Sequence, residues 1–123
     1  ALEAIHPILG PGFVSVRNTG TAERNVVHLK HRSAADAVVA AAADMYGSFG
    51  CLQLCGTAGR AQTAFADTFF AFKAQLAAFV SYLRTGARPF PFAETVELMK
   101  IVIAGIRSRE KNGIEVALSE IGP

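Results

Sequence analysis

A chain of 123 residues is long enough for one domain with a hydrophobic core of its own. Hydrophobic residues make up 51% of it and charged residues 18%, which excludes an intrinsically disordered chain. A net charge of +2 without a basic run excludes a phosphate-tracking surface, so nucleic acid is not an expected partner. No apolar stretch reaches the roughly 18 residues that a membrane span needs, and no secretory leader pattern opens the sequence. A cytoplasmic protein with no membrane partner is the expectation.

Ala1, Leu2, Ile5, Ile8 and Leu9 predict a first helix, stopped by Gly10-Pro11-Gly12. The sequence enters that helix without Met or an N-cap, as expected of a piece of a longer protein; Met removal from an ordinary N-terminus is the alternative. Phe13 to Arg17 reads as a short strand closed by Asn18 to Thr21, and Asn25 to His31 as a second strand. In the second strand Val27, Leu29 and His31 point one way, and Val26, His28 and Lys30 the other. His28 and His31 therefore cannot share a metal, and both are expected at the surface or an edge. Residues 33–44 are ambiguous. Their Ala-rich run favours a helix by propensity, and a hairpin turning at Arg32 to Ala35 competes with it.

Met45 to Gly50 is turn-rich, and Cys51–Cys55 and Ala61–Phe65 read as a hairpin joined by Gly56-Thr57-Ala58-Gly59. On one strand face the two cysteines would stand about 13 Å apart, too far to bridge. They are expected as buried small hydrophobes, with no zinc-ligand spacing around them. The Gly-rich turn matches neither a dinucleotide fingerprint nor a P-loop. Asp67 or Thr68 caps a long helix whose Phe69, Phe72, Leu76, Phe79, Val80 and Leu83 are expected in the core, and Gly86 ends it. Pro91 opens a last helix with Phe92, Val96, Met99, Ile103 and Ile106 on one face. Asn112-Gly113 stops it, and Ile114, Val116 and Leu118 alternate as a final strand.

Strands grouped before helices predict an α+β fold: a mostly antiparallel open sheet with two long helices packed on one face. The other face, carrying Val, Leu and Phe, would then suit a second subunit or domain.

The chain resembles the carboxy-terminal domain of the Gfo/Idh/MocA family of NAD(P)-dependent oxidoreductases. The segments that carry the resemblance are Leu9 to Val16, Gly50 to Gly59, Phe72 to Phe79 and Phe92 to Leu118. In the last of these a helix ending in Ser leads through a Gly-containing turn into a final strand. The resemblance implies that residues 1–123 are one substrate-binding and oligomerisation domain of the dihydrodipicolinate-reductase-like type, and it favours strand over helix for residues 33–44. It implies a Rossmann domain elsewhere that binds NAD or NADP, a small-molecule sugar or polyol substrate, and homodimers or larger homo-oligomers through the open sheet. Hydride transfer from a carbinol needs a general acid/base, which in the family is a Lys of Glu-Lys-Pro or a His of Asp-x₃-His. Neither motif is present, so no catalytic, cofactor or metal residue is assigned. By the alignment Glu3 matches an acidic position after the missing His, and His6 is no substitute. The isolated chain is expected to be inactive. Arg17, Tyr46 and Lys73 are the candidate substrate-binding residues. A standalone dimeric α+β binding module without activity is the alternative.

Overall fold

The structure, a computed structural model, describes residues 2–45, 50–65 and 67–122. Its elements run α1 (Leu2–Leu9), β1 (Phe13–Asn18), β2 (Arg24–His31), β3 (Asp36–Ala42), β4 (Cys51–Gly56), β5 (Gly59–Ala64), α2 (Thr68–Thr85), α3 (Phe92–Glu110) and β6 (Val116–Ala117). A 3₁₀ turn, Leu118–Glu120, follows. The fold is α+β. The chain divides into two compact units, one of residues 1–45 with 92–123 and one of residues 46–91.

The first unit is a four-stranded antiparallel sheet in the order β3-β2-β1-β6. Residues 33–44 do form the strand side of a hairpin. Ala34 takes the left-handed conformation at φ 63°, and His31 N–H donates to the Ala35 carbonyl to close the turn. The turn between β1 and β2 needs Gly20, since a Cβ there would run into the Arg24 carbonyl. A bulge at Val14 breaks the alternation of β1: Phe13 pairs with His31, and Ser15 already pairs with Lys30. Phe13 and Val16 thereby share the inner face with Leu29 and His31, while Ser15 and Arg17 join the outer one.

Helix α3 covers the inner face. The residues it buries are Ile101, Ala104, Gly105 and Ser108, not the expected stripe of Phe92, Val96, Met99, Ile103 and Ile106. The reason is distance: a Cβ on Gly105 would lie 3.7 Å from Val16 Cγ1, so the backbones approach closely and small side chains fit between them. Met99, Ile103 and Ile106 remain exposed. The core is Ile5, Phe13, Val16, Leu29, Ile101, Ala104, Val116, Leu118 and Ile121. His31 belongs beside it rather than at the surface. It is buried, edge-on to the Phe13 ring at 5.1 Å, with Nε2 3.2 Å from the Pro11 carbonyl and Nδ1 2.7 Å from Ser33 Oγ. The final strand is shorter than expected. Val116 and Leu118 are buried, Ile114 is exposed, and Leu118 already begins the 3₁₀ turn.

Ser108 ties the end of α3 to the sheet. Its Oγ accepts from Asn18 N–H at 2.9 Å and donates to the Ile114 carbonyl. Asn112 and Gly113, at φ 58° and 75°, then reverse the chain toward β6.

The second unit holds the β4–β5 hairpin and α2. Among the described residues β4 pairs with β5 alone, so the strands form two sheets rather than one. Leu52 and Leu54 are the half-buried side of β4, but Cys51 and Cys55 are both exposed, free thiols. A two-stranded ribbon has no second layer within its own pairing to bury them. Helix α2 starts as expected, with Asp67 accepting from Phe70 N–H at 2.7 Å, and ends at Gly86 with φ 71°. Its apolar stripe is not core: Phe69, Phe72, Leu76, Phe79, Val80 and Leu83 are all exposed, and α2 has no buried residue.

Candidate functional site

The outer face of the four-stranded sheet gathers the polar residues of the first unit. Antiparallel register places Arg17 opposite His28, Ser15 opposite Lys30, and Asp36 across from Lys30 on the far side. Two ion pairs and a histidine–carboxylate hydrogen bond run along β2. Lys30 Nζ lies 3.1 Å from Glu115 Oε2, His28 Nε2 2.9 Å from Asp36 Oδ1, and Arg24 Nη2 2.5 Å from Asp44 Oδ2. The expected apolar face of Val, Leu and Phe is therefore a charged row, with Val26 and Val38 as its large apolar members. Phe13 joins Val16 on the inner face because the Val14 bulge reset the register of β1.

Glu115 is the most elaborated group of that face. It accepts from Ser15 Oγ and from Lys30, with Arg17 contributing its field. The Ser15 hydrogen bond first, then Lys30, holds its carboxyl below the ordinary glutamate range. Ser15 is buried under this contact although its side chain points outward. The Arg17 side chain is exposed and makes no hydrogen bond or salt bridge to a described residue, which leaves its five N–H donors for an outside acceptor.

The sequence-predicted residues do not assemble into one site. Arg17 lies on β1 of the first unit, Lys73 is exposed on α2 of the second, and Tyr46 lies outside the described residues.

A second polar cluster went unread in the sequence. His6 is buried in α1, its Nε2 3.1 Å from Glu97 Oε2 and its Nδ1 3.7 Å from Glu94 Oε2. The other oxygen of Glu97 accepts from the Gly12 and Phe13 N–H groups at 2.8 and 3.1 Å. Both carboxylate oxygens of Glu97 are thus occupied, and the ring has almost no access to solvent. The cluster fastens α1 and the Gly10–Gly12 turn to α3 and offers no open atom for chemistry. The signal for it was present: Glu97 continues the stripe of Ile101, Ala104 and Ser108 at helical spacing, which puts polar groups at both ends of the buried face.

Among the described residues no three His, Cys, Asp or Glu side chains stand where they could share a metal ion. No described helix is long and apolar enough to cross a membrane. No protein-family model, no curated protein and no solved structure matches this chain.

Proposed function

We propose that the chain is the substrate-binding and oligomerisation domain of an NAD(P)-dependent oxidoreductase that acts on a sugar, polyol or similar carbinol. The reading starts from the Gfo/Idh/MocA resemblance. The observation that supports it is the outer sheet face: Ser15, Arg17, His28, Lys30, Asp36 and Glu115 set donors and acceptors side by side on rigid strands. Such a row suits a polyhydroxylated ligand, whose hydroxyls both donate and accept. Arg17, whose guanidinium makes no hydrogen bond to a described residue, is the residue assigned to hold a substrate oxygen.

The nicotinamide does not belong to this chain. Gly56 and Gly59 pair across a tight β4–β5 hairpin turn, which leads into a strand and not into a helix N-terminus that could receive a pyrophosphate. The general acid/base must also come from elsewhere, because His6 is enclosed and neither Glu-Lys-Pro nor Asp-x₃-His occurs. In this division of labour the Rossmann half supplies hydride transfer, and this domain orients the carbinol.

The test is turnover of a sugar and polyol panel with NAD and NADP, by the isolated chain and by the longest product of its reading frame. Reduced nicotinamide is expected only from a product that carries a Rossmann domain, and Arg17→Ala in that product should raise KM by about tenfold, roughly one charge-assisted hydrogen bond. Turnover by the isolated chain, or a longest product without a nucleotide-binding segment, overturns the proposal.

A further inference from the structure

The ring of His31 is buried where β2 enters its turn to β3, and it has a backbone partner at each nitrogen. Each of those partners can play only one role. Ser33 N–H can only donate, and it reaches Nδ1 at 3.2 Å. The Pro11 carbonyl can only accept, and it stands 3.2 Å from Nε2. His31 is therefore the neutral tautomer, with its proton on Nε2 and a lone pair on Nδ1. Ser33 Oγ lies against that lone pair at 2.7 Å, so the hydroxyl donates its proton to the ring. Of the two contacts at Nδ1 the hydroxyl makes the shorter.

A hydroxyl, a base within reach of its proton and a third group that orients the base make an activated nucleophile. Ser33, His31 and the Pro11 carbonyl fill those three places, and all three belong to the first unit. Their positions are fixed from several sides. The Phe13 ring packs against the imidazole at 5.1 Å in a T-shaped contact. Arg32 N–H donates to the Gly12 carbonyl and Ala34 N–H to the His31 carbonyl, which pins the turn around Ser33. A serine hydroxyl in a turn ordinarily bonds to nearby backbone. This one is held on a base.

We propose that Ser33 is a nucleophile with His31 as its general base, and that it transfers acyl groups from activated esters to water. Ser33 Oγ attacks the ester carbonyl carbon as its proton passes to Nδ1. The new Oγ–C bond forms, the bond to the leaving alcohol breaks, and the alcohol takes the proton from Nδ1. Water then attacks the acyl-serine by the same proton route, which releases the carboxylic acid and restores Ser33. While the ring holds both protons, the Pro11 carbonyl accepts from Nε2 and steadies the imidazolium. This activity is independent of the oxidoreductase reading. Ser33 and Pro11 occupy both nitrogens of His31, so the ring has none left for a carbinol.

The experiment treats the full chain with a fluorophosphonate and locates the adduct by peptide mass spectrometry. Phosphorus bonds to an activated Oγ as fluoride leaves, so the reagent also reads whether the hydroxyl can be reached. The adduct is expected on Ser33 ahead of every other serine, and His31→Gln should slow it by about 10²-fold. Ser33→Ala keeps the N–H bond to Nδ1, and with it the turn, but should abolish the adduct. Ring ¹⁵N NMR of the unsubstituted chain should show Nε2 protonated and Nδ1 bare. With Cys51 and Cys55 alkylated beforehand, p-nitrophenyl acetate should release a burst of about one equivalent of nitrophenolate and then continue more slowly. No adduct at Ser33, equal labelling of His31→Gln, a proton on Nδ1, or release that stops after the burst overturns the proposal.

Discussion

At the scale of single residues, Ser108 and Glu115 carry more of the first unit than their chemistry suggested. Ser108 is fully buried, and it both accepts from Asn18 N–H and donates to the Ile114 carbonyl. Ser108→Ala leaves a buried backbone donor unsatisfied, which costs about 1–3 kcal/mol. The expected result is a lower urea midpoint with an unchanged m-value. Glu115 ionises more readily in the folded chain than in the unfolded one, chiefly because Ser15 and Lys30 donate to its carboxylate. Its contribution to stability is present above the ordinary glutamate pKa and is lost as pH falls through the lowered folded value. Ser15→Ala should move the Glu115 titration up toward the ordinary range, read from the side-chain carboxyl carbon by NMR. An unmoved titration would remove Ser15 as the donor.

At the scale of elements, helix existence and capping were legible, but the buried face of α3 was not. Its large residues, Met99, Ile103 and Ile106, make the obvious stripe, and periodicity weights large residues. The buried stripe is small because the helix lies close to β1, a distance that no local pattern records. Gly105 faces Val16 across this gap, and a Cβ there would make an ordinary contact with it. Gly105→Ala should therefore stabilise the unit by about 0.4–1 kcal/mol through the unfolded chain, seen as a higher midpoint. A lower midpoint would mean that α3 and β1 are packed more tightly than 3.7 Å implies. The β2–β3 hairpin shows the opposite balance. Helix propensity in the Ala-rich run lost to the register with β2, where seven residue pairs, from Arg24–Ala42 to Lys30–Asp36, align.

At the scale of the whole molecule, two units stand where one sheet with two covering helices was expected. Among the described residues, the nine core hydrophobes all belong to the first unit. In the second, the aromatic stripe of α2 and both cysteines are exposed, which reverses their sequence reading. Of the candidate site, Arg17 was legible as a polar residue near a strand end. Its company was not, because Ser15, Lys30 and Glu115 come from three separate stretches of chain. The same holds for His6 and Glu97, 91 positions apart.

The sequence by itself determined what depends on neighbours along the chain: the α+β class, the element order, the Asp67 cap, and the Gly86 and Asn112–Gly113 stops. Backbone propensity and local hydrogen bonds act over about four residues, so they leave a readable trace. Only the tertiary structure decided which stripe of α3 is buried, which way β1 faces after its bulge, and that the outer sheet face is charged. Those outcomes turn on interstrand register and helix–sheet distance, which couple residues far apart in the chain.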